Sequence, residues 1–242
     1  MNEHLHRFKS VQLDNERAVW VCPPAVPARH LTIFLDGELY RDQVGAPALL
    51  AALDAQQAIA PTWVVYVAFE REEFRWRECP CHPPFARFVV DELLPWLEQT
   101  YPALRDCPDR TLVGLSYTGL AAAYIAHQAP GRFARILAQS GSFWWNEGWL
   151  IGQYAATRPH PATAFYLDVG TKESEENVRH REDVFQRQSQ VEATQRFRDV
   201  LLGHGCEVNY REFDGGHDCA EWKKTLPAAL VWALPPAPRG RA

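Results

Sequence analysis

The sequence lacks the features that mark membrane, secreted and nucleic-acid-binding proteins. No apolar run in its 242 residues approaches the ~20 residues that a membrane-spanning helix needs. Residues 1–7 lack the apolar core of a signal peptide. The formal net charge of -5 comes without the basic stripe that favours nucleic-acid binding. These absences predict a cytoplasmic protein that binds neither nucleic acid nor membrane.

Cysteine is present, but its spacing indicates neither a disulfide framework nor a metal site. The six cysteines form no C-x-x-C pair, and a chain of this length buries enough apolar surface to fold without disulfides. The Cys79-Pro80-Cys81-His82 cluster has no second pair of ligands at a useful spacing. The sequence therefore predicts free thiols and no metal, and the acyl-transfer chemistry considered below needs no organic cofactor.

The chain does contain short apolar strands that alternate with helical segments. Strands are predicted over 31–35, 62–69, 110–115, 133–142, 164–170 and 207–213, and helices over 46–58, 85–100, 120–127, 188–202 and 219–233. Residues 5–22 read as an antiparallel hairpin at a sheet edge. This alternation predicts an α/β fold with a mostly parallel, doubly wound sheet and an antiparallel N-terminal edge hairpin. We expect one domain over 1–242, with a core of about 5–233 and a loose tail over 234–242.

The stretch 110–120 is the strongest candidate for catalytic chemistry. It combines a buried strand, Gly114, Ser116 and a helix rich in small residues. A serine in a tight strand-to-helix turn exposes its Oγ atom, and the N-terminus of the following helix provides an anion site beside it. Acyl transfer needs this arrangement. The alternative is an ordinary loop in which the serine caps the helix.

A serine nucleophile needs a base and a group that orients the base. His217 follows the last predicted strand inside a Gly-Gly-His-Asp turn, so it is the candidate base; alternatively, it caps the last helix. The acid is expected between serine and histidine in the chain. Glu173, just after the strand 164–170, is the expected acid, and Asp168 is the alternative.

The oxyanion of acyl transfer needs two backbone N–H donors. One is expected from Tyr117, directly after the nucleophile, and the other from Gly37 or Glu38, after an early strand. Each of these segments follows an apolar strand. Because ligands bind beyond the carboxyl ends of the strands in such sheets, we expect the segments to form one site.

Four segments, 35–38, 114–116, 140–145 and 214–218, together resemble the esterase D family of α/β-hydrolases. Within that family they are most similar to the enterochelin (enterobactin) esterases, which open the trilactone of catecholate siderophores. The resemblance implies an α/β-hydrolase fold and a triad of Ser116, His217 and Glu173. The family's arginine, followed three residues later by glutamate, is matched by Arg75 and Glu78. Thr118 departs from the family pattern, which has a second glycine in the serine turn.

A ferric tris-catecholate is large, anionic and aromatic, and the sequence offers two segments to bind it. Arg75, Trp76 and Arg77 are expected on one loop, and Trp144 and Trp145 on another. They supply charge pairing and ring stacking. The alternative is that the arginines are solvated and the tryptophans fill the core. Adjacent residues of an extended segment face opposite ways, so one tryptophan can serve each purpose.

The predicted function is a serine esterase that cleaves a carboxylic ester or lactone through an acyl-enzyme, with a catecholate siderophore trilactone as the expected substrate. A general carboxylesterase or a thioesterase similar to S-formylglutathione hydrolase is the first alternative. A hydrolase-fold protein that binds without catalysing is the second.

Overall fold

The computed structural model describes residues 2–236 and is built around an eight-stranded sheet with the order β1-β2-β4-β3-β5-β6-β7-β10. The strands of this sheet are β1 (His4–Ser10), β2 (Asn15–Cys22), β3 (His30–Leu35), β4 (Thr62–Val67), β5 (Asp109–Leu115), β6 (Arg135–Gln139), β7 (Ala164–Gly170) and β10 (Val208–Phe213). A separate hairpin consists of β8 (Val178–Arg181) and β9 (Val184–Gln186).

Strand direction follows the predicted pattern. β1 and β2 pair antiparallel, β2 joins β4 antiparallel, and all remaining pairs of the large sheet are parallel. The central strands β4 and β7 are buried at every position, as expected for parallel strands with both faces covered. The predicted fold class is confirmed, including the antiparallel hairpin at the N-terminal edge.

The helices connect the strands across both faces of the sheet. They are α1 (Gly37–Leu39), α2 (Ala46–Ala55), α3 (Glu72–Glu78), α4 (Pro83–Arg87), α5 (Leu94–Thr100), α6 (Tyr117–Gln128), α7 (Trp145–Ala156), α8 (Gln190–Gly203) and α9 (Cys219–Ala233). Consecutive strand residues enter different cores: Ile33 belongs to the core that includes side chains of α4 to α8, and Phe34 belongs to the core that includes side chains of α2 and α9. The sheet is therefore covered by helices on both sides. No helix within 2–236 is long and apolar enough to cross a membrane.

The helix predicted over 85–100 is interrupted. A π-helical segment, Phe88–Leu93, separates α4 from α5. Pro95 is the second residue of α5 and has no N–H to donate. The π-helical segment directly before it carries the chain into α5, with Leu94 N donating to Val89 O, so the change of helix type lies next to the proline.

Several elements were not predicted from the sequence, among them α3, α7 and the β8–β9 hairpin, and the loose tail was predicted to begin too early. α3 and the β8–β9 hairpin are rich in charged residues and show little apolar periodicity, and α7 contains left-handed residues at 146–148. Leu234, which was predicted to begin a loose tail, is fully buried, and its carbonyl accepts a hydrogen bond from Ala60 N at 2.9 Å. The predicted tail over 237–242 lies outside the described residues.

Candidate active site

Ser116 occupies the turn between β5 and α6. Its φ of 51° and ψ of -122° are a strained backbone conformation for a residue other than glycine. A Cβ at Gly114 would lie 2.1 Å from the carbonyl oxygen of Thr118, so only glycine lets the first turn of α6 approach the strand this closely. The tight turn brings Ser116 to the surface of a cavity at the carboxyl end of β5.

The imidazole of His217 lies between Ser116 and Glu173. His217 Nε2 is 2.9 Å from Ser116 Oγ, and His217 Nδ1 is 2.6 Å from Glu173 Oε2. The helix-capping role considered for His217 belongs to Asp218, whose side chain accepts hydrogen bonds from the N–H groups of Ala220 and Glu221. The three side chains that the sequence analysis grouped as a triad therefore form one continuous chain of hydrogen bonds.

The carboxylate oxygen of Glu173 that does not face His217 is fixed by two hydrogen bonds. The Glu173 side chain is 3% exposed, and Oε1 accepts hydrogen bonds from Ser140 Oγ at 2.6 Å and from Gly170 N at 2.8 Å. Oε2 is left to face His217. The two donors lie close together because Gly170 ends β7 and Ser140 follows the neighbouring strand β6.

Asp168, the alternative acid, is buried inside β7 and contacts a different set of groups. Its Oδ1 accepts a hydrogen bond from Ser140 N at 3.2 Å. Removal from water raises the pKa of Asp168 to about 7. Among the described contacts, Glu173 and not Asp168 is the carboxylate that meets the imidazole.

The two expected oxyanion segments lie at the carboxyl ends of the neighbouring strands β3 and β5. Tyr117 is the first residue of α6, and Gly37 is the first residue of α1. A Cβ at Gly37 would lie 2.7 Å from Val67 N, so this turn packs directly on the backbone of β4. Glu38 Oε1 accepts hydrogen bonds from Phe69 N and Glu70 N, each at 2.9 Å, and burial raises the pKa of Glu38. The turn after β3 is thereby fixed to the chain that follows β4.

A cavity of about 750 Å³ lies over Ser116. Its aromatic wall consists of Trp76, Tyr117 and Trp144. The Tyr117 ring centroid is 4.9 Å from that of Trp76 and 5.8 Å from that of Trp144. Burial raises the pKa of the Tyr117 hydroxyl, so this group is neutral at physiological pH. The cavity is large enough for an aromatic acyl group and has the surface on which such a group stacks.

The arginines predicted to bind substrate are placed differently from the expectation. Residues 75–77 lie in helix α3 and not on a loop. Arg75 Nε lies 2.9 Å and 2.8 Å from the two carboxylate oxygens of Asp36, so its charge is already paired. Arg77 donates to Glu78 Oε1 at 2.8 Å and is not among the described residues that line the cavity.

The two adjacent tryptophans face different surroundings, as the sequence analysis allowed. Trp144 lines the cavity and is 5% exposed. Trp145 is absent from the described lining of the cavity, and its ring centroid lies 6.5 Å from that of Trp149. Trp144 is therefore the one that can contact a bound ligand.

The structure also brings residues to the site that the sequence analysis did not assign. His180 of the β8–β9 hairpin stacks on Trp144 with ring centroids 5.0 Å apart, and the Arg181 guanidinium lies 5.0 Å from the ring centroid of Trp76. Ser142 Oγ is 3.3 Å from Ser116 Oγ. The Ser140-Gly141-Ser142 motif was a usable signal for the last contact, whereas the hairpin lacks the apolar alternation that marks a strand.

Comparisons with known proteins agree with this architecture. A family model named Esterase matches residues 10–233. The iron(III) enterobactin esterase of Dickeya dadantii is 35% identical over 242 residues, covering 94% of this chain and 54% of that protein. The enzyme of the same name from Escherichia coli K12 is 30% identical over 235 residues, covering 93% of this chain and 55% of that protein. The chain thus spans about half the length of the curated relatives it matches.

Solved structures extend the likeness to three dimensions. The enterobactin esterase FES from Shigella flexneri, determined in the presence of enterobactin, superposes with a TM-score of 0.82 at 26% identity and covers 96% of this chain and 59% of that one. The ferric enterobactin esterase from Salmonella typhimurium gives 0.82 at 27% identity, with 96% and 58% coverage. Matched by the family model from residue 10 to residue 233, this chain belongs to the Esterase family and has the α/β-hydrolase fold.

Proposed function

We propose that this chain is a serine esterase that opens the ester bonds of a catecholate siderophore trilactone similar to enterobactin. The hydrogen-bonded chain from Ser116 Oγ through His217 to Glu173 carries the proposal. The aromatic wall of the cavity and the curated relatives, which are named as iron(III) enterobactin esterases, support the choice of substrate.

The acylation step uses the three side chains in order. Ser116 Oγ attacks the ester carbonyl carbon while His217 Nε2 takes its proton. Glu173 accepts a hydrogen bond from His217 Nδ1–H, which keeps Nε2 free as the base and stabilises the imidazolium that forms. The N–H groups of Tyr117 and of Gly37 or Glu38 stabilise the oxyanion of the tetrahedral intermediate. As the intermediate collapses, the imidazolium returns the proton to the leaving alkoxide.

Deacylation repeats the sequence with water as the nucleophile. His217 Nε2 takes a proton from the water as its oxygen attacks the acyl carbonyl, and then gives that proton to Ser116 Oγ as the acyl-enzyme breaks. One water molecule is consumed per ester bond, and one carboxylic acid and one alcohol are released. This chemistry requires no group beyond the protein and water.

In the proposed complex, the catechol rings of the substrate pack on the aromatic wall. Trp76 and Trp144 line the cavity beside the nucleophile, and Arg181, which is outside the described lining, brings positive charge to the ring of Trp76 from behind this wall. Arg75 contributes indirectly, because its charge is paired with Asp36. Arg77 and Trp145 are left out of the substrate contacts.

Hydrolysis of enterobactin, followed by liquid chromatography of the linear products, tests the proposal. We expect Ser116→Ala to lower kcat by about 10⁴–10⁶. Ser174→Ala is the matched control, since Ser174 is exposed and next to Glu173, and it should retain activity. Wild-type turnover by Ser116→Ala would refute the catalytic assignment.

The same assay separates the alternatives. A kcat/KM for short p-nitrophenyl esters or for S-formylglutathione that exceeds the value for enterobactin would assign a general carboxylesterase or a thioesterase. Binding of enterobactin without turnover of any ester, by protein that fluorophosphonate leaves unmodified, would assign a non-catalytic binding protein.

A further inference from the structure

The side chain of Thr118, in the turn that follows Ser116, makes a specific set of contacts. It is fully buried in the first turn of α6. Its Oγ1 lies 2.9 Å from Leu115 N, 2.8 Å from Leu115 O and 3.0 Å from Asp36 Oδ2. A hydroxyl has one hydrogen to donate. It accepts the bond from Leu115 N, and the carboxylate of Asp36 is the stronger of the two competing acceptors because it is charged.

Asp36 is itself held in an unusual conformation. It follows β3, is 1% exposed and has a φ of 59°, in the left-handed region. A buried carboxylate is stable only when it is paired and hydrogen-bonded, and Asp36 has Arg75 and Thr118 as partners. These two side chains therefore fix the backbone conformation at the end of β3.

Asp36 and Thr118 are each adjacent in the chain to a residue that supplies an oxyanion donor, so the hydrogen bond between them can affect both donors. Asp36 directly precedes Gly37, and Thr118 directly follows Tyr117. The bond from Thr118 to Asp36 thus joins the two segments that supply the oxyanion donors of the proposed mechanism. In the described contacts neither Asp36 nor Thr118 touches Ser116; each is the sequence neighbour of a residue whose N–H is an oxyanion donor.

We propose that Thr118, through its hydrogen bond to Asp36, is a positioning residue that sets the spacing between the two backbone donors of the oxyanion site. This inference rests on the proposed function. The Thr118 hydroxyl ties the first turn of α6 to the end of β3. A merely structural Thr118 would instead fill space and support the fold.

Thr118→Val distinguishes these two roles, because valine keeps the shape and removes the hydroxyl. Loss of one oxyanion donor costs about 10²–10³ in kcat. A donor that is displaced but still present should cost less, so we expect a 10- to 100-fold fall in kcat with KM within twofold. A boronic acid that mimics the tetrahedral intermediate should lose affinity by the same factor. The pH profile of kcat/KM should keep its shape, since His217 and Glu173 are untouched.

Two further variants control the experiment. Thr118→Ser retains the hydroxyl and should restore kcat to within about threefold of the wild type. Thr32→Val removes another fully buried hydroxyl. Thr32 lies on β3, the strand that leads to Asp36, and its Oγ1 is 2.9 Å from Thr62 Oγ1 on β4. Thr32→Val should lower the melting temperature about as much as Thr118→Val and leave kcat unchanged. If Thr118→Val does not fold, Thr118→Ala removes the same hydroxyl, leaves the pair of Asp36 and Arg75 intact, and should lower kcat in the same manner.

Three results would overturn the proposal: a Thr118→Val enzyme with kcat within twofold of the wild type, a loss confined to KM, or an equal loss in Thr118→Ser. Failure of the proposed function gives a different result, because the wild type would then turn over no ester, or Ser116→Ala would keep the wild-type rate, whatever happens at Thr118.

Discussion

Replacing Glu173 by glutamine tests how the carboxylate acts on the imidazole. Glu173 Oε1 accepts hydrogen bonds from Ser140 Oγ and Gly170 N, so the amide oxygen of Glu173→Gln should occupy that position. The amide NH₂ group then faces His217 Nδ1 in place of Oε2. An N–H donor there makes Nδ1 an acceptor, which puts the ring hydrogen on Nε2, and Nε2 can no longer take the proton of Ser116.

The magnitude follows from the same geometry. The imidazolium formed in the transition state loses a carboxylate at hydrogen-bond distance, and a pair of unit charges about 4 Å apart at an effective dielectric constant near 20 is worth about 4 kcal/mol. At 1.36 kcal/mol for each factor of ten, that alone lowers the rate about 10³-fold. The wrong tautomer adds to the loss, and the matching change in a serine protease costs about 10⁴. We expect kcat to fall by 10³–10⁴, with KM little changed.

Steady-state hydrolysis of a p-nitrophenyl ester and of enterobactin measures this loss. Circular dichroism and the melting temperature establish that the variant is folded. A Glu173→Gln enzyme that retains more than about a tenth of wild-type kcat, next to an Asp168→Asn enzyme that loses 10³ or more, would refute the assignment and make Asp168 the acid.

Three further predictions concern the cavity wall, a buried carboxyl and a buried ion pair. Trp144→Ala should raise KM for aromatic esters by about three- to tenfold, the value of one lost ring contact, while Trp145→Ala changes KM less than twofold; equal effects in saturation kinetics would contradict the placement of the two rings. The pKa of Asp168 is raised from 3.8 to about 7 in the folded protein, so the folded state binds a proton that the unfolded state releases, and stability should fall by at most about 4 kcal/mol as pH rises from 4 to 7. Asp168→Asn should flatten this slope in urea denaturation at stepped pH, and an unchanged slope would show that Asp168 does not titrate in this range. Arg17 and Glu78 form a fully buried pair at 2.7 Å, so Arg17→Met should destabilise by about 3–5 kcal/mol, and adding Glu78→Met should recover part of that loss; simple additivity of the two changes would contradict the pairing.

The sequence predicted the fold and the candidate site best where the same residues are needed for the backbone geometry and for the chemistry. Gly114 and Ser116 mark a turn that only a few residue types can form, and the close approach of Thr118 to Gly114 gives the physical reason. The parallel strands were recognisable because burial on both faces makes them apolar throughout, as in β4 and β7. Order along the chain and position after a strand were enough to group Ser116, Glu173 and His217.

Contacts between side chains that are far apart in the chain could not be predicted from the sequence in this way. From the sequence alone Arg75 is a free cation, but its partner Asp36 lies at the end of β3, 39 positions away. The β8–β9 hairpin is held by packing on α7 and by the stacking of His180 on Trp144, and its own sequence has no apolar alternation. Contacts between specific pairs of residues depend on the tertiary structure, so the local sequence pattern around either residue does not predict them.

Covalent labelling tests the central claim most directly. If the hydroxyl of Ser116 is activated by His217, a fluorophosphonate should add once per chain, and peptide mapping by mass spectrometry should place the adduct on Ser116. Labelling should be lost in Ser116→Ala and slowed at least 10³-fold in His217→Ala. An adduct on Ser142, whose hydroxyl lies 3.3 Å away, or labelling of His217→Ala at the wild-type rate, would contradict the account.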